Sequence, residues 1–518
     1  MKKIYILIVC SLLATALHAQ KSFGTYLQDV IQKQEKGMLV TAKLIEACGL
    51  CETLDILEDY EYLNRYMRGE IPQYNDSFLD TFYSPEHRRY GYTLFAETDD
   101  FWEQQISKNY KNITVNDVKE FVVNNGLYPS AADNDRFEEE DNVLNQFVTY
   151  HLLNRRLSPN CLVNHYNEQG YNPKTGVPTI PICEYYTTMG ARRLLRVYES
   201  KESKGIYLNR FPVLDNGRWG TYHELSCDDD KKGIYIDTEH AVKDIINAII
   251  YPIGDILAFD EKTAQNMGSI RLRMDVASFF PEMATNDIRL SKSAESRHKN
   301  VYLPCDVYPY LDDLIVNNQE TKFCYWTGYN ENWSNMQGDE FNCRGLTDIT
   351  LRLPPVPTKT EYELRVAILS GSNSRGIFQI YFGTHPDNLS PIGMPVDFRQ
   401  GAYYIITRSG NLPSYIGYEN DTQDDVYDQM RDNELHENGF MKGCLQYSAG
   451  APGSSTMMRS QQHCLRRILG KKMMDPDKTY YLRFKNVLDN PNTSFYLDYI
   501  EFCPKKVYDN PEKPEDIW

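Results

Sequence analysis

The stretch Tyr92-Thr-Leu-Phe-Ala-Glu-Thr-Asp-Asp-Phe101 decides the fold, because an apolar, strand-like run ends there at a residue suited to begin a helix. The side chain of Thr98 can cap that helix by accepting a backbone N–H hydrogen bond. Asp99 and Asp100 then fall in the first helical turn, where carboxylates complement the unpaired N–H groups and the positive end of the helix dipole. The residues therefore predict a strand-to-helix junction at Thr98.

Helical periodicity dominates the first part of the chain on either side of this junction. It predicts two packed helices between residues 23 and 60, a helix that begins at Thr114, and a further helix from about Asp141. The segment from Asp59 to Arg89 lacks clear periodicity and contains turn-forming residues, so it predicts an insertion or a long surface loop.

The second part of the chain has the pattern of short strands separated by turns. Little helix is expected beyond Asp275 to Phe280 and Ser460 to Leu469. The chain after Pro504 is expected to be loosely held. Six strand-like runs predict an antiparallel sandwich, namely Leu346 to Leu353, Tyr362 to Leu369, Ile377 to Tyr381, Ala402 to Thr407, Tyr480 to Phe484 and Phe495 to Phe502. The fold class expected for the chain is therefore α+β.

Three motifs in order resemble those of a fasciclin domain spanning about residues 22 to 262. Tyr92 to Phe101 resembles the first signature, Tyr150-His151 the central Tyr-His pair, and Asn247 to Leu257 the second signature. The resemblance implies a helix and β-wedge fold, a role in adhesion and no catalysis. The chain departs from the family pattern at Glu97, where a proline is usual, and at Tyr251, where a histidine is common.

The later part of the chain is similar to the second domain of exported fasciclin-type proteins of Bacteroidetes-like bacteria. The similarity lies in wording such as Leu353-Pro-Pro-Val356, Pro391-Ile-Gly-Met-Pro-Val396 and Tyr496-Leu-Asp-Tyr-Ile-Glu-Phe502. It implies a β-sandwich domain of jelly-roll type at residues 266–505, followed by a flexible tail at 506–518.

The N-terminus predicts export. Two lysines precede an apolar run from Ile4 to Leu17, and cleavage after Ala19 gives a signal peptide of residues 1–19. The apolar run is shorter than the roughly 20 residues needed to span a bilayer. Cys10 lies inside this run rather than after it, so a lipid anchor is not expected. We expect the mature chain in the periplasm or on the outer cell surface.

Charge limits the choice of partner. The chain has 55 basic and 72 acidic residues, a formal net charge of −17, which disfavours nucleic acid and anionic membrane surfaces. A protein or a glycan at the cell surface is the expected partner.

No catalytic signature is present, and no cofactor or metal is expected. Cys48-Gly-Leu-Cys51 has the spacing of a redox motif, but it lies within an apolar helical run, so two buried core thiols are expected instead. No second pair of cysteines or histidines completes a zinc site.

Two groups of residues are candidates for binding. Tyr150-His151 corresponds to a region that fasciclin proteins present to receptors, although His151 is also spaced to pack against Phe147 and Val148. Tyr325, Trp326, Tyr329 and Trp333 lie beside amide and carboxylate residues, and aromatic rings with such groups bind sugars. Packing in the core is the alternative for this cluster as well, because strands are enriched in aromatic residues.

Three functions remain open from the sequence. The first is a non-catalytic cell-envelope protein that acts in adhesion or ligand binding. The second is a glycan-binding accessory protein of a nutrient-uptake system. The third, a hydrolase acting on polysaccharide, requires two facing carboxylates, which a chain with 72 acidic residues does not identify by sequence.

Overall fold

The computed structural model describes residues 20–75, 81–163, 182–200, 202–212, 214–215, 223–224, 227–289, 298–305, 308–328, 336–369, 373–401, 416–445 and 458–518. The predicted signal peptide, Tyr329, Trp333 and the run from Ala402 to Thr407 lie outside these residues. The described part is a mixture of helices and mostly antiparallel sheets, in agreement with the α+β class. None of its helices has the length and apolar character needed to cross a membrane.

The helices are short and concentrate in the first half of the chain. They are α1 (Phe23–Lys33), α2 (Leu39–Ala47), α3 (Cys51–Leu54), α4 (Tyr60–Met67), α5 (Asp99–Ile106), α6 (Val115–Asn124), α7 (Val143–Tyr150), α8 (Glu261–Met267), α9 (Pro281–Thr285), α10 (Asp425–Glu437) and α11 (Lys505–Tyr508). The predicted start of α6 is confirmed, because Thr114 and Asp117 form a reciprocal capping box.

The strands fall into two groups. Those of the first half are β1 (Tyr74–Asn75), β2 (Thr81–Phe82), β3 (Tyr92–Glu97), β4 (Leu152–Leu153), β5 (Ile182–Thr187), β6 (Leu194–Glu199), β7 (Ile206–Leu208), β8 (Leu214–Asp215), β9 (His223–Glu224), β10 (Ile234–Tyr235) and β11 (Ala248–Ile253). Those of the second half are β12 (Leu272–Asp275), β13 (His298–Tyr302), β14 (Leu314–Val316), β15 (Lys322–Gly328), β16 (Asp339–Arg344), β17 (Asp348–Arg352), β18 (Thr360–Leu369), β19 (Ile377–Gly383), β20 (Ser390–Pro391), β21 (Val396–Asp397), β22 (Phe440–Lys442), β23 (Cys464–Met474), β24 (Tyr481–Asn486), β25 (Ser494–Leu497) and β26 (Tyr499–Pro504).

The three motifs singled out in the sequence meet at one sheet, ordered β11-β3-β4, with Tyr150-His151 at the end of the helix that leads into β4. Strands β3 and β11 run parallel and pair over six residues, from Tyr92 opposite Ala248 to Glu97 opposite Ile253. Strand β4 follows directly after His151 and pairs with β3 from the other side. Segments more than 150 residues apart along the chain are therefore neighbours in the first hydrophobic core, which extends from Phe23 to Ala258.

The strand-to-helix junction is confirmed, but one of its acidic residues has a different role from the one expected. Thr98 caps α5 by accepting the N–H of Phe101 at 3.2 Å. Asp99 is fully buried, and its carboxylate accepts the backbone N–H groups of Gly37, Leu39 and Val40 at 2.7 to 2.9 Å. Asp99 thus binds the start of the neighbouring helix α2, and this contact joins two segments 60 residues apart.

The segment from Asp59 to Arg89 is not the surface loop that the sequence predicted. It contains α4 and the hairpin β1–β2, and Tyr62 is fully buried against the ring of Tyr310. Arg88 is also buried and donates to the carbonyl of Tyr310 at 2.8 Å and to the carboxylate of Glu282 at 3.2 Å. The segment therefore attaches the first half of the chain to the second. Contacts with distant residues hold it in place, although its sequence has no periodic apolar pattern.

Three antiparallel sheets enclose the second hydrophobic core. Their strand orders are β12-β26-β18-β23-β22, β13-β15-β16-β25 and β14-β17-β24-β19-β20. Five of the six predicted strand runs are confirmed, as β17, β18, β19, β24, and the pair β25 and β26. The core is formed mainly by residues from 267 to 502, with five contributions from the first half.

Two secondary-structure predictions are wrong, and so is the prediction that the tail is loosely held. Ser460 to Leu469 was expected to be helical but lies mostly in β23, which pairs with β18. Helix α10 was missed because it is polar and mostly exposed, so it shows no apolar stripe. The tail is held because Glu515 makes two hydrogen bonds to the buried Arg365, at 2.7 and 2.8 Å, while Ile517 is buried.

We predict that Asp99→Ala lowers the free energy of unfolding by about 3 kcal/mol, because backbone N–H groups of a buried helix start lose their acceptor. Asp100→Ala is the matched control, since that side chain is 69% exposed and pairs only at the surface; it should cost at most about 1 kcal/mol. Denaturant titrations followed by circular dichroism measure both variants. Equal losses would contradict the role given to Asp99.

Candidate functional site

The Tyr150-His151 pair lies in the interior rather than on a surface. Tyr150 is 1% exposed, and its hydroxyl donates to the carbonyl of Leu194 at 3.1 Å and accepts from the side-chain amide of Asn209 at 3.0 Å. Burial raises the pKa of this hydroxyl, which therefore stays protonated. The Tyr150 hydroxyl is thus hydrogen-bonded within the protein, both as a donor and as an acceptor.

His151 is 2% exposed, and each of its ring nitrogens lies within hydrogen-bonding distance of an oxygen atom. Its Nδ1 lies 2.7 Å from the carbonyl oxygen of Phe147, and its Nε2 lies 2.8 Å from Oε1 of Glu97. The same carboxyl oxygen of Glu97 accepts the N–H of Leu257 at 3.0 Å. A cavity of about 10 Å³, room for one water molecule, adjoins Glu97 and His151. The expectation that Tyr150 and His151 form a binding surface is therefore wrong. The alternative, that His151 packs and forms hydrogen bonds in the interior, is confirmed.

The two departures from the fasciclin pattern have structural roles in this chain. Glu97 connects β3 to the end of α7 and to the segment after β11 through His151 and Leu257. Tyr251 stacks on Phe95, with ring centroids 5.8 Å apart, and donates to the carbonyl of Leu157 at 2.8 Å. Both residues stabilise the β11-β3-β4 sheet.

Cys48 and Cys51 are core thiols, as the sequence predicted. Both are buried, and they form no disulfide with each other. Burial raises the pKa of Cys48 to about 12 and that of Cys51 to about 11. The reactive thiolate is disfavoured at both positions, which argues against redox chemistry.

The aromatic cluster of the second half is divided between the two faces of one sheet. Successive residues of a strand point to opposite faces. Tyr325 is fully buried in the second core, where its hydroxyl donates to Asp339 at 2.7 Å and lies 3.2 Å from the carbonyl oxygen of Arg289. Tyr325 is therefore a core residue and not a binding residue. The adjacent Trp326 is half-buried on the other face.

The side chains that share this second face come from the four paired strands β13, β15, β16 and β25. Trp326 of β15 lies opposite Glu340 of β16, and Asn342 of β16 lies opposite Tyr496 of β25. The rings of Trp326 and Tyr496 stack with centroids 6.0 Å apart and an interplanar angle of 29°. We call the group formed by Trp326, Glu340, Asn342, Ser494 and Tyr496 the Trp326 face. Trp326 is half-buried, and the other four side chains are at most 9% exposed. On the same side of the sheet, Cys324 and Tyr302 are buried against Phe82.

Arg375 borders the Trp326 face. Its guanidinium lies 4.1 Å from the centre of the Tyr496 ring, and Nη1 donates to the carbonyl of Ser494 at 3.2 Å. A cation over an aromatic ring fixes the orientation of that ring. Arg375 therefore helps to hold Tyr496 in position beside Trp326.

Two polar side chains of the Trp326 face are buried and have few hydrogen-bond partners. Glu340 is 5% exposed, and no hydrogen bond to its carboxyl is formed by the residues that the structure describes. Burial raises its pKa to about 8, against the opposing effect of Arg375. Asn342 is fully buried; its Oδ1 accepts from Ser494 at 3.0 Å, while its Nδ2 has no partner.

The arrangement suits the binding of a polar, ring-shaped ligand. Flat aromatic rings pack on the C–H faces of sugars, while amide and carboxyl groups bind sugar hydroxyls. The same residues are not suited to a metal, since no group of three or more His, Cys, Asp or Glu within the described ranges is placed to hold one.

Of the residues in this face, the sequence alone indicated only Trp326. Trp326 belonged to a visible cluster, whereas Glu340, Asn342 and Tyr496 lie 14 to 170 residues further along the chain. Alternation along each strand predicts which residues of that strand share a face. Only the pairing of β15, β16 and β25 shows that Trp326, Glu340, Asn342 and Tyr496 lie on the same side of one sheet.

No protein-family model matches the chain, and no curated protein sequence matches it either.

We predict that His151→Ala lowers the free energy of unfolding by about 3 to 5 kcal/mol, because the buried Glu97 carboxyl loses its partner. His240→Ala is the control, since that side chain is 77% exposed; its effect should stay within about 1 kcal/mol. Denaturant unfolding measures both. A small effect of His151→Ala would show that the buried pair is unimportant for stability.

We predict that Glu340 makes stability depend on pH. Its folded pKa of about 8 lies above the ordinary 4.5, so the folded state retains the proton, and stability is lost as pH rises between these values. Glu340→Gln removes this loss. The variant should match the wild type near pH 4.5 and exceed it by about 3 kcal/mol or more above pH 8. Thermal unfolding across pH tests this, with exposed Glu437→Gln as the control; parallel curves for Glu340→Gln and wild type would contradict it.

Proposed function

We propose that this protein is a non-catalytic binding protein of the cell envelope, and that the Trp326 face is a glycan-binding surface. The observation that carries the proposal is the stack of the half-buried Trp326 on Tyr496, beside the carboxyl of Glu340. Stacked rings next to hydrogen-bonding groups are the combination that sugars require.

We further propose that the first half is a fasciclin-like domain and the second a β-sandwich of jelly-roll type. In support of the first, the first and second fasciclin-like signatures pair as β3 and β11, and Tyr150-His151 directly precedes β4 of the same sheet. In support of the second, residues from three antiparallel sheets share one core. Both domains belong to the exported protein that the N-terminal sequence predicts.

Because Tyr150 and His151 are buried, we expect the binding surface in the second half of the chain rather than in the first. An adhesive surface needs exposed side chains, and both of these are at most 2% exposed. The better candidate is Trp326, because its indole is half-buried rather than fully buried and lies beside Glu340 on the neighbouring strand.

We predict that Trp326→Ala weakens glycan binding about tenfold or more, since aromatic anchors of this kind contribute about 1.4 kcal/mol or more to binding. The purified protein is first screened on a glycan array, and the affinity of each bound glycan is then measured by calorimetry. Tyr235→Ala is the matched control, because Tyr235 is 51% exposed on a different sheet; it should bind like the wild type. Circular dichroism verifies that both variants are folded.

Two results would contradict the proposal. Wild-type protein that binds no glycan on the array would remove the glycan-binding function. Binding that is equally strong in folded Trp326→Ala would keep the function but remove the assignment to the Trp326 face.

A further inference from the structure

A second small cavity lies where the two halves of the chain meet. It has a volume of about 10 Å³, room for a single particle of the size of a water molecule. Two guanidinium groups border it, those of Arg155 from the first half and Arg289 from the second. The other described residues of its wall are uncharged. The charged groups that line the cavity are therefore both positive.

Arg155 is a buried cation that has no acidic partner among the described residues. It is 1% exposed, its Nη1 donates to the carbonyl of Ser278 at 2.6 Å, and its guanidinium lies 4.9 Å from the centre of the Tyr186 ring. Glu282 attracts Arg155 over a longer distance but is already paired with Arg88. Most other buried basic side chains pair directly with a carboxylate, namely Arg88, Arg289, Arg365, Lys442, Arg459 and Arg466. Arg155 thus differs from them by an unbalanced buried charge next to an open space, and such a charge is costly.

The second guanidinium of the wall is paired on one side only. Arg289 binds the carboxyl groups of Glu184, Asp275 and Asp339 at 3.1 to 3.3 Å through Nε and Nη2. Its Nη1 forms no hydrogen bond with the described residues, and neither does Nη2 of Arg155. Burial lowers the pKa of Arg155, and the positive charge of Arg289 lowers it further. The two arginines therefore repel each other and have N–H groups to spare.

The chemistry of the wall favours an anion over a water molecule. A guanidinium group only donates hydrogen bonds, so the occupant must be an acceptor. A water molecule would also have to donate its two hydrogens, yet the Ser278 carbonyl already accepts from Arg155, and the Tyr186 hydroxyl donates to the carbonyl of Leu162 at 3.0 Å. A halide ion needs donors only, and its charge balances that of Arg155. The volume excludes phosphate, sulfate and carboxylate ions, which contain several heavy atoms.

We infer that this cavity is a chloride site. The ion accepts hydrogen bonds from Nη2 of Arg155 and Nη1 of Arg289. Because these residues belong to different halves of the chain, the ion links the halves at their junction and stabilises the folded protein. The site includes no residue of the Trp326 face, so it does not depend on glycan binding.

Bromide tests the site directly, because it replaces chloride and gives an anomalous X-ray signal. Crystals of the full-length protein are grown in sodium bromide, and data are collected at the bromine absorption edge. We expect an anomalous peak within hydrogen-bonding distance of both guanidinium groups. Density at this position without an anomalous signal would identify a water molecule and overturn the inference, and so would an empty cavity.

Thermal unfolding measures the same site in solution. The full-length protein is unfolded in sodium chloride and in sodium gluconate of equal ionic strength, since gluconate is too large for the cavity and general screening is the same in both. The midpoint should rise by about 2 °C for each tenfold increase in chloride above its dissociation constant. Equal midpoints in the two salts would overturn the stabilising role, and a bromide peak would then show binding at crystal concentration only.

Two variants assign the effect to the cavity. Arg155→Met removes the charge at similar side-chain length, and Ala284→Val fills the cavity without changing a charge. Each should abolish both the bromide peak and the difference between the salts. Arg136→Met is the matched control, because that side chain is 68% exposed; it should keep the difference. If one variant is unfolded by circular dichroism, the other decides, and the wild-type measurements stand independently. A folded Arg155→Met or Ala284→Val that keeps the full chloride effect would overturn the assignment.

Discussion

The buried carboxyl groups of Glu97 and Asp99, two residues apart at the end of β3, are the constraint on which the first half of the protein depends. Glu97 binds His151 and the backbone of Leu257, while Asp99 binds three backbone N–H groups at the start of α2. Each carboxyl is surrounded by donors, which makes its burial tolerable. Through these contacts one short stretch positions three distant segments of chain.

Buried arginines perform the corresponding task between the two halves. Arg88 binds Glu282 and the carbonyl of Tyr310, and Arg155 donates to the carbonyl of Ser278 at 2.6 Å. Such contacts add little net stability, because desolvation of the ions offsets their attraction, but removing one partner is costly. They therefore specify how the two halves are oriented more than they stabilise them.

The Trp326 face shows the opposite balance between polar groups and partners. Nδ2 of Asn342 is buried without an acceptor, and burial raises the pKa of the Glu340 carboxyl, whereas the carboxyls of Glu97 and Asp99 accept several hydrogen bonds. A protein selected for stability alone would place apolar residues here. Unpaired buried atoms are not confined to this face, since Nε1 of Trp102 and Oε2 of Glu282 are also buried without a hydrogen-bond partner among the described residues.

Local chemistry made much of the fold predictable. Strand β3, the cap at Thr98, the capping box at Thr114 and five of six strand runs follow from short-range sequence patterns. The predictions failed where local patterns were weak or misleading. Helix α10 has no apolar stripe, and the run that includes Cys464 became a strand through its pairing with β18.

The sequence by itself determined the order of strands and helices and the alternation that separates Tyr325 from Trp326, because these depend on neighbours along the chain. Only the tertiary structure decided that Asp99 caps a different helix, that His151 is buried, and that Trp326 lies beside Tyr496. The physical reason is that these contacts join residues 54 to 170 positions apart. Such contacts depend on strand register and packing, which no local pattern encodes.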